Sequence, residues 1–196
     1  MSVVAALSVS VDGYVTGPGP SPEQALGRGG QRLFDWYSDG DVPSRVFDGF
    51  RLSAPSAEVF DALAARDGAV VCGRTTYDHS GGFGGGSPHP TAPLVLLTHR
   101  PAPEASAAQT VAGDLEEALA RAAELAGDLD VALMGTGVTA AALAAGVLDE
   151  VTLHQVPVLL GGGTPFFHAL PESQALERVR VVEAPGVTHL TFRVVR

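Results

Sequence analysis

The amino-acid sequence predicts a mixed α/β fold with a mostly parallel sheet, flanking helices and a C-terminal antiparallel hairpin. Short apolar runs recur as far as residue 160 and are bounded by glycine or proline, as is typical of buried parallel strands. Helical segments separate several of these runs, which favours strand–helix–strand units. Near the C-terminus, apolar and polar residues alternate on both sides of Ala184-Pro185-Gly186, which predicts a hairpin.

The N-terminal part of the chain predicts one strand, a long irregular segment and one helix. The run Val3–Val9 is the first buried strand, and Asp12-Gly13-Tyr14 ends it in a loop. Residues 17–53 have a weak pattern and are expected to be irregular, with a helical turn or two around an aromatic cluster. Ser56 is the predicted N-cap of a helix that ends at Ala64, because a serine hydroxyl can accept hydrogen bonds from the first N–H groups of a helix.

The C-terminal part alternates between strands and helices before the hairpin. Four further strands are predicted at Ala69–Cys72, Leu94–Thr98, Val131–Met134 and Val151–Leu160. Asp114 and Glu117 form a capping-box-like start for a helix over Leu115–Ala126. A small-residue helix follows the turn at Gly135 and runs through Ala145.

Composition limits the class of protein. With 196 residues and 45% hydrophobic content, the chain is expected to form one domain over residues 1–196. Its net charge of −10 argues against binding to nucleic acid or to an acidic membrane. The N-terminus lacks the pattern of a signal peptide, and no apolar run approaches the ~20 residues that span a bilayer. A cytoplasmic location is therefore expected.

The basic residues and the cysteine count exclude several kinds of chemistry. All twelve basic residues are arginines, so the chain has no lysine for a P-loop or for a pyridoxal Schiff base. Cys72 is the only cysteine, which rules out an internal disulfide. The six histidines show no metal-ligand spacing, and no metal site is expected.

Glycine and polar residues follow three of the predicted strands at the point where each strand ends. The three groups are Gly73-Arg74-Thr75-Thr76, Thr98-His99-Arg100 and Met134-Gly135-Thr136-Gly137-Val138-Thr139. Because the carboxyl ends of parallel strands gather at one edge of a sheet, we expect these groups to bind one extended nucleotide. Arg74 and Arg100 favour NADPH over NADH, since a guanidinium holds the additional phosphate well.

Each of these groups also has a simpler interpretation. The turn at Gly135 lies on a late strand, whereas the dinucleotide fingerprint usually occupies the first strand–helix turn, and tight packing alone also selects small residues. Taken separately, Arg74 or Arg100 is compatible with a solvated charge at a strand end, but this interpretation fits less well for both arginines beside the glycine turn.

Several motifs occur in the order found in a known family. They are Ser10-Val11-Asp12-Gly13-Tyr14-Val15, Cys72-Gly73-Arg74-Thr75-Thr76-Tyr77, Met134-Gly135-Thr136-Gly137, Gly146-Val147-Leu148-Asp149-Glu150-Val151 and the stretch 157–163 followed by Phe166-Phe167. Together they resemble the dihydrofolate reductase-like family, which includes the reductase domain of riboflavin biosynthesis. The resemblance covers nearly the whole chain.

The resemblance implies an eight-stranded sheet, NADPH as hydride donor and a homodimer. It implies that residues 73–76 border the cofactor phosphates, that residues 98–100 lie near the adenosine phosphate and that residues 135–139 hold the pyrophosphate. It also implies that backbone groups of Ala6 lie near the nicotinamide amide, with the loop 12–19 over the ring.

The substrate side departs from the pattern of folate reductases, because the sequence has no clear Pro-Trp pair after the mobile loop and no clear helical carboxylate. Asp35 is the first candidate for a catalytic acid and Asp12 the second, since a carboxyl group beside aromatic residues can donate a proton. Trp36 and Tyr14 are the candidate substrate-binding residues. Asp35 is equally compatible with a turn or cap residue, and Trp36 with a core residue.

These observations predict an NADPH-dependent reductase that acts on a small heterocyclic or unsaturated substrate, other than folate, beneath residues 12–50. One alternative is a pyrimidine reductase of the riboflavin route. Its substrate carries a ribose phosphate, so it needs a second basic site from Arg28, Arg32, Arg45 and Arg51. Another alternative is a nucleotide-binding sensor or resistance protein that has lost turnover.

Overall fold

A computed structural model describes residues 1–167, 170 and 172–196. The strands are β1 (Val3–Ser10), β2 (Val42–Pro43), β3 (Arg51–Leu52), β4 (Asp67–Gly73), β5 (Leu94–Leu97), β6 (Thr110–Ala112), β7 (Asp130–Met134), β8 (Glu150–Val156), β9 (Leu176–Ala184) and β10 (Val187–Val194). The helices are α1 (Ala54–Ala64), α2 (Arg74–His79), α3 (Leu115–Ala126) and α4 (Thr136–Ala144), with 3-10 helices at Gly30–Tyr37 and Gly81–Gly85.

Eight of the strands form one sheet in the order β6-β5-β4-β7-β1-β8-β10-β9. Every neighbouring pair from β6 to β8 is parallel, whereas β10 is antiparallel to both β8 and β9. The predicted fold class is therefore confirmed. Because six strands point the same way, the carboxyl ends of β4, β5, β7 and β1 lie along one edge of the sheet.

One face of the sheet packs against α3 and α4. Alternate strand residues point to this face, and small residues of the helices let the two layers approach closely. The buried contacts include Val71 and Leu133 on the strands and Ala118, Ala122 and Ala142 on the helices. Helix α3 begins as predicted, because Asp114 Oδ1 accepts the N–H of Glu117 at 2.8 Å.

The opposite face is covered by two separate groups of residues. One is residues 30–64, called here the covering segment, which packs Leu33, Trp36 and Leu52 over the β8–β10 side of the sheet. The other packs Tyr77 of α2 over β4 and β5. Between the two groups the middle of β1 is uncovered, so that Ala6 is exposed although it lies in a central strand.

Three local predictions differ from the structure. Ser56 was predicted to be the N-cap of α1, but the helix begins earlier, with Ser53 as its N-cap and a proline in the first turn. Strand β8 ends at Val156 instead of Leu160, because Pro157 cannot donate to the ladder. The three-residue edge strand β6 and helix α2 were not predicted.

Within the described part of the chain, no helix has both the length and the apolar character needed to cross a membrane.

Candidate functional site

The three predicted groups of strand-end residues lie around one cleft. The cleft has a volume of about 820 Å³ and lies at the carboxyl ends of β4, β5 and β7; it is called here the strand-end cleft. Its lining includes Gly73, Arg74, Thr75, Thr76, Thr98, His99, Arg100, Met134, Gly135, Thr136, Gly137 and Val138. The structure therefore brings together all the predicted cofactor-binding residues except Ala6 and Thr139.

The turn at Gly135 brings the N-terminus of α4 to the cleft. Gly135 has φ +106°, and a Cβ at this position would overlap the Oγ1 of Thr76, so only glycine fits there. The next residues line the cleft, where the positive end of the helix dipole favours a phosphate. Thr139 is fully buried behind the turn, and its Oγ1 donates to Gly135 O at 2.9 Å. Thr139 thus stabilises the turn from behind instead of lining the cleft.

The guanidinium of Arg74 already has three protein partners. Its Nε donates to Asp78 at 2.7 Å, its Nη2 lies 2.6 Å from Glu104, and its Nη1 donates to Pro101 O at 3.1 Å. Arg74 therefore ties α2 to the chain that follows β5, and its fork of N–H groups is engaged by two carboxylates. A phosphate would have to compete with them.

Arg100 is more available than Arg74. Its side chain is 69% exposed and makes one long contact, 3.4 Å, to Asp78. Thr98 fixes the backbone of this residue, because its Oγ1 accepts the Arg100 N–H at 3.2 Å and donates to Arg100 O at 3.1 Å. His99 is exposed beside it. The exposed positive charge of the cleft is thus at Arg100.

A second cavity, of about 310 Å³, adjoins the strand-end cleft and is called here the aromatic cavity. The two share the residues Leu7, Ser8, Phe34 and Met134 in their linings. Five aromatic residues of the covering segment line the aromatic cavity: Phe34, Tyr37, Phe47, Phe50 and Phe60. The rings of Tyr37 and Phe50 stack with centroids 4.7 Å apart. The exposed Ala6 forms part of its floor, so Ala6 faces this cavity and not the cleft.

Neither candidate acid lines the cleft or the cavity. Asp35 is on the exposed side of the 3-10 helix, and its neighbours Phe34 and Tyr37 face the cavity instead. Asp12 is exposed, and its carboxylate accepts the N–H groups of Leu160 at 3.1 Å and Gly161 at 2.7 Å. The geometry therefore gives no support to a catalytic role for either carboxylate.

The pKa of Asp12 agrees with a structural role. A hydrogen bond with Ser10 is the largest influence on this carboxyl and lowers its pKa. Desolvation opposes this effect, and the hydrogen bonds from Gly161 and Leu160 lower the pKa further. Asp12 is therefore ionised and holds the loop after β1 to the loop after β8.

The two candidate substrate-binding residues also lie outside the cavity lining. Trp36 is buried, and its Nε1 donates to both Ser8 Oγ and Leu33 O at 3.1 Å. Tyr14 donates its N–H to Ser10 Oγ and pairs with Pro165. Trp36 thus supports the wall at Ser8 from behind, and Tyr14 belongs to the loop that follows β1.

Two groups of polar residues lie at opposite ends of the aromatic cavity. Arg66, Asp67 and Glu150 lie at the amino ends of the strands, where Arg66 is held by Asp130 at 2.7 Å and by Glu150 at 3.3 Å. Burial, followed by the nearby charge of Asp130, raises the pKa of Asp67 from 3.8 to about 7, against the opposing effect of Arg66.

Ser8 and His154 lie at the other end, next to the strand-end cleft, and face each other across the β1–β8 ladder. Sequence analysis missed His154 and its partner His189. The available signal was the alternation along β8 and β10, which places each histidine on the face of the sheet that the covering segment packs against. The pairing of the two histidines depends on the strand register, which the sequence does not show.

Comparisons with known proteins agree with this architecture. A family model described as the RibD C-terminal domain matches residues 1–190. A protein named for riboflavin biosynthesis from Shewanella sp. PV-4 has a similar structure, with a TM-score of 0.71 and 23% identity over 100% of both chains. Dihydrofolate reductase from Enterococcus faecalis, solved with NADP(H), has a TM-score of 0.62 and 16% identity over 98% of this chain and 96% of that one.

A pyrimidine reductase-like protein from Corynebacterium diphtheriae has a TM-score of 0.63 and 15% identity over 100% of this chain and 92% of that one. At these identities the structural likenesses establish the fold. No curated protein matches the sequence.

The raised pKa of Asp67 predicts that its charge destabilises the folded protein above neutral pH. The unfolded chain ionises this carboxyl near pH 3.8 and the folded chain near pH 7, so the folded state loses stability as the pH rises between these values. Asp67→Asn removes that cost, which amounts to up to about 4 kcal/mol for a shift of this size.

Urea unfolding at several pH values measures this effect. The advantage of Asp67→Asn over the wild type should be small at pH 4, grow to pH 7 and then level off. Asp128→Asn, at an exposed site, is the control and should show little change. An advantage of the same size at every pH would contradict the predicted titration.

Proposed function

The chain belongs to the RibD C-terminal domain family of reductases, and from that premise we propose that it transfers hydride from NADPH to a small, planar, unphosphorylated substrate. The observation that carries the proposal is the convergence of three strand ends on one cleft beside an aromatic cavity. When bound, the nicotinamide supplies the hydride. The residues of this chain position both molecules and exclude water from between them.

The strand-end cleft fits a phosphorylated dinucleotide. The first turn of α4 offers a helix N-terminus with glycines that allow close approach, and this is a favourable site for a pyrophosphate. Thr98, His99 and Arg100 would hold the adenosine phosphate, with Arg100 as its cation. Arg74 would hold α2 and residues 101–104 in place around that phosphate.

The aromatic cavity is the proposed substrate site. Hydride transfer requires the two reacting molecules to touch, and the wall shared by Leu7, Ser8, Phe34 and Met134 is where occupants of the cleft and the cavity would meet. The five aromatic rings favour a flat ring system by stacking and edge contacts.

The charges around the aromatic cavity argue against a ribose-phosphate substrate. Arg66 is the one arginine in its lining as described, and Asp130 and Glu150 already neutralise it. The four arginines predicted to form a second basic site do not line the cavity. Arg45, for example, pairs with Asp61, and Arg51 donates to Asp41 O. The proposal therefore favours an uncharged ring over the phosphorylated pyrimidine.

One observation favours the alternative of a binding protein without turnover: Asp12 and Asp35, the two predicted proton donors, line neither the strand-end cleft nor the aromatic cavity.

A titration and an activity screen separate the reductase from the binding protein. NADPH and NADH are titrated by fluorescence, and loss of NADPH absorbance is then followed with neutral bicyclic heteroaromatic compounds and with a phosphorylated pyrimidine.

Turnover of a neutral ring compound is the expected result. Binding of NADPH without turnover of any compound would favour the sensor, reduction of the phosphorylated pyrimidine alone would favour the riboflavin route, and absence of binding would refute both the reductase and the sensor. The predicted homodimer stays a prediction.

Arg100→Ala tests the preference for NADPH. If Arg100 meets the additional phosphate, the NADPH dissociation constant should rise about tenfold, equivalent to about 1.4 kcal/mol, while NADH affinity changes by less than about twofold. Arg121→Ala, on the outer face of α3, is the matched control and should change neither affinity. An equal loss for the two nucleotides would place the additional phosphate elsewhere.

Gly137→Ala tests where the pyrophosphate lies. A Cβ at Gly137 has no atom of the protein within 4 Å, so alanine should preserve stability and even favour the helix by up to about 1 kcal/mol. The same methyl group would face the bound pyrophosphate, so NADPH affinity should fall at least about tenfold, equivalent to about 1.4 kcal/mol. Gly113→Ala, outside the cleft lining, is the control. Unchanged affinity in Gly137→Ala would contradict the proposed position.

A further inference from the structure

Two buried histidines face each other across strands β8 and β10. His154 and His189 are opposite residues in the antiparallel ladder, with 2% and 1% of their surfaces exposed. Their Nδ1 atoms are 2.7 Å apart, so one ring must carry the proton that lies between them. Trp36 packs over both rings, with centroid distances of 5.0 and 5.2 Å, and holds their orientation.

The pair is part of a longer chain of hydrogen-bonding groups. The Nε2 of His189 lies 3.0 Å from Ser56 Oγ, and Ser56 in turn accepts a hydrogen bond from Ser53 Oγ at 3.1 Å. Ser53 is partly exposed at the start of α1, so this end of the chain reaches solvent.

The other end of the chain reaches the proposed substrate site. His154 lines the aromatic cavity, and within the described residues its Nε2 has no hydrogen-bond partner. His154 is also the β8 partner of Ser8, which lines both the cavity and the strand-end cleft. The imidazole therefore lies beside the wall at which substrate and cofactor would meet.

The hydrogen-bond directions give one consistent arrangement of protons. Because Ser53 donates to Ser56, the Ser56 hydroxyl is free to donate to Nε2 of His189. His189 then carries its proton on Nδ1 and donates to Nδ1 of His154. His154 in turn carries its own proton on Nε2, toward the cavity.

The rings stay uncharged in this arrangement. Burial, followed by the neighbouring His189, lowers the pKa of His154 to about 3, and burial, followed by Arg180, lowers the pKa of His189 to about 4. A neutral imidazole N–H can donate to an atom on which negative charge develops.

On the basis of the proposed reductase function, we propose that Nε2 of His154 donates the proton that accompanies hydride transfer, and that Ser53, Ser56 and His189 pass a compensating proton from solvent to its Nδ1. His154 is then a catalytic residue, and the other three are relay residues that act through it.

Each step of this relay conserves atoms and charge. The substrate carbon receives hydride, and the electron pair released to the adjacent heteroatom forms a bond with the proton of His154 Nε2. The proton on His189 Nδ1 moves to His154 Nδ1, and the hydroxyl proton of Ser56 moves to His189 Nε2. Ser53 supplies Ser56, and water supplies Ser53. After the product leaves, water in the open cavity protonates Nε2 of His154 and the proton on its Nδ1 returns to His189. The transfers along Ser56 and Ser53 then reverse and release one proton to solvent, so each cycle consumes one solvent proton in total.

Tyr37 also lines the cavity, where burial raises the pKa of its hydroxyl and so opposes the loss of its proton. The other carboxyl and imidazole groups of the lining are less suited to the role as well. His89 uses both ring nitrogens within the protein, since Nε2 bonds to Ala64 O at 3.1 Å and Nδ1 accepts the N–H of Ala92 at 2.9 Å. Asp67 and Glu150 lie at the amino ends of their strands, away from the cleft.

Nitrogen NMR of the protein labelled with ¹⁵N at histidine tests the relay without cofactor or substrate. At neutral pH, His154 should be protonated on Nε2 alone and His189 on Nδ1 alone, with a downfield signal for the proton between the rings. Signals of His89 are the internal reference, because its nitrogens are fixed by other partners. A proton on Nδ1 of His154 would overturn the proposal.

Two variants that are isosteric with each other, valine and threonine, then test the coupling to Ser56. Ser56→Val fills the space of the hydroxyl without a polar atom, so exchange of the inter-ring proton with solvent should slow at least tenfold. Ser56→Thr restores the hydroxyl and should keep the wild-type rate within twofold. If Ser56 only stabilised the fold, the inter-ring proton would exchange faster with solvent in both variants than in the wild type. An exchange rate in Ser56→Val that equals or exceeds the wild-type rate would overturn the relay.

Turnover provides the last measurement. With the ring compound reduced fastest in the screen above, His154→Phe should lower kcat at least tenfold while the NADPH dissociation constant stays within twofold. Unchanged kcat would overturn the catalytic role of His154. If the wild type binds no NADPH, the proposed function fails, and the NMR result still decides whether the proton chain exists.

Discussion

The parallel pairing of β4 with both β5 and β7 is the constraint on which the candidate site depends. It places the ends of three strands at one edge, so that Gly73, Thr98 and Gly135 begin their loops side by side. The absence of a side chain at Gly135 then lets the first turn of α4 lie close to Thr76 of α2. The proposed phosphate-binding surface depends on this register, and it lies in a protein that is strongly acidic as a whole.

The covering segment supplies the second half of the site. It packs over only part of the sheet, and Trp36 anchors it by a hydrogen bond to Ser8. Its aromatic side chains therefore surround an open space over β1 instead of filling it. The buried histidine pair lies directly beneath this cover and next to Ser8. The same packing that creates a hydrophobic cavity thus also encloses a polar route to solvent.

Much of the sheet could be predicted because its strands are continuous apolar runs that end at glycine, proline or polar residues. The helix α3 had a clear start at Asp114, and the terminal hairpin had a clear alternation. The short strand β6 offered too few residues for a pattern. Ser56 looked like an N-cap because serine suits that position, but the helix begins earlier, with a proline in its first turn. The Ser56 hydroxyl therefore bonds to His189 instead of capping the helix.

The candidate site was predictable only in part, because strand ends can be read from sequence and side-chain partners cannot. The engagement of Arg74 by Asp78 and Glu104 depends on how α2 and residues 101–104 fold back. The exposed position of Asp35 depends on which side of a 3-10 helix faces the sheet. The pairing of His154 with His189 depends on the register of strands that are far apart in sequence.

A crystal structure of the protein with bound NADPH tests the central claim most directly. We expect a pyrophosphate against the first turn of α4, the adenosine phosphate beside Arg100 and the nicotinamide at the wall formed by Leu7, Ser8 and Met134. A nucleotide bound anywhere other than the strand-end cleft, or a nicotinamide that points away from the aromatic cavity, would contradict it.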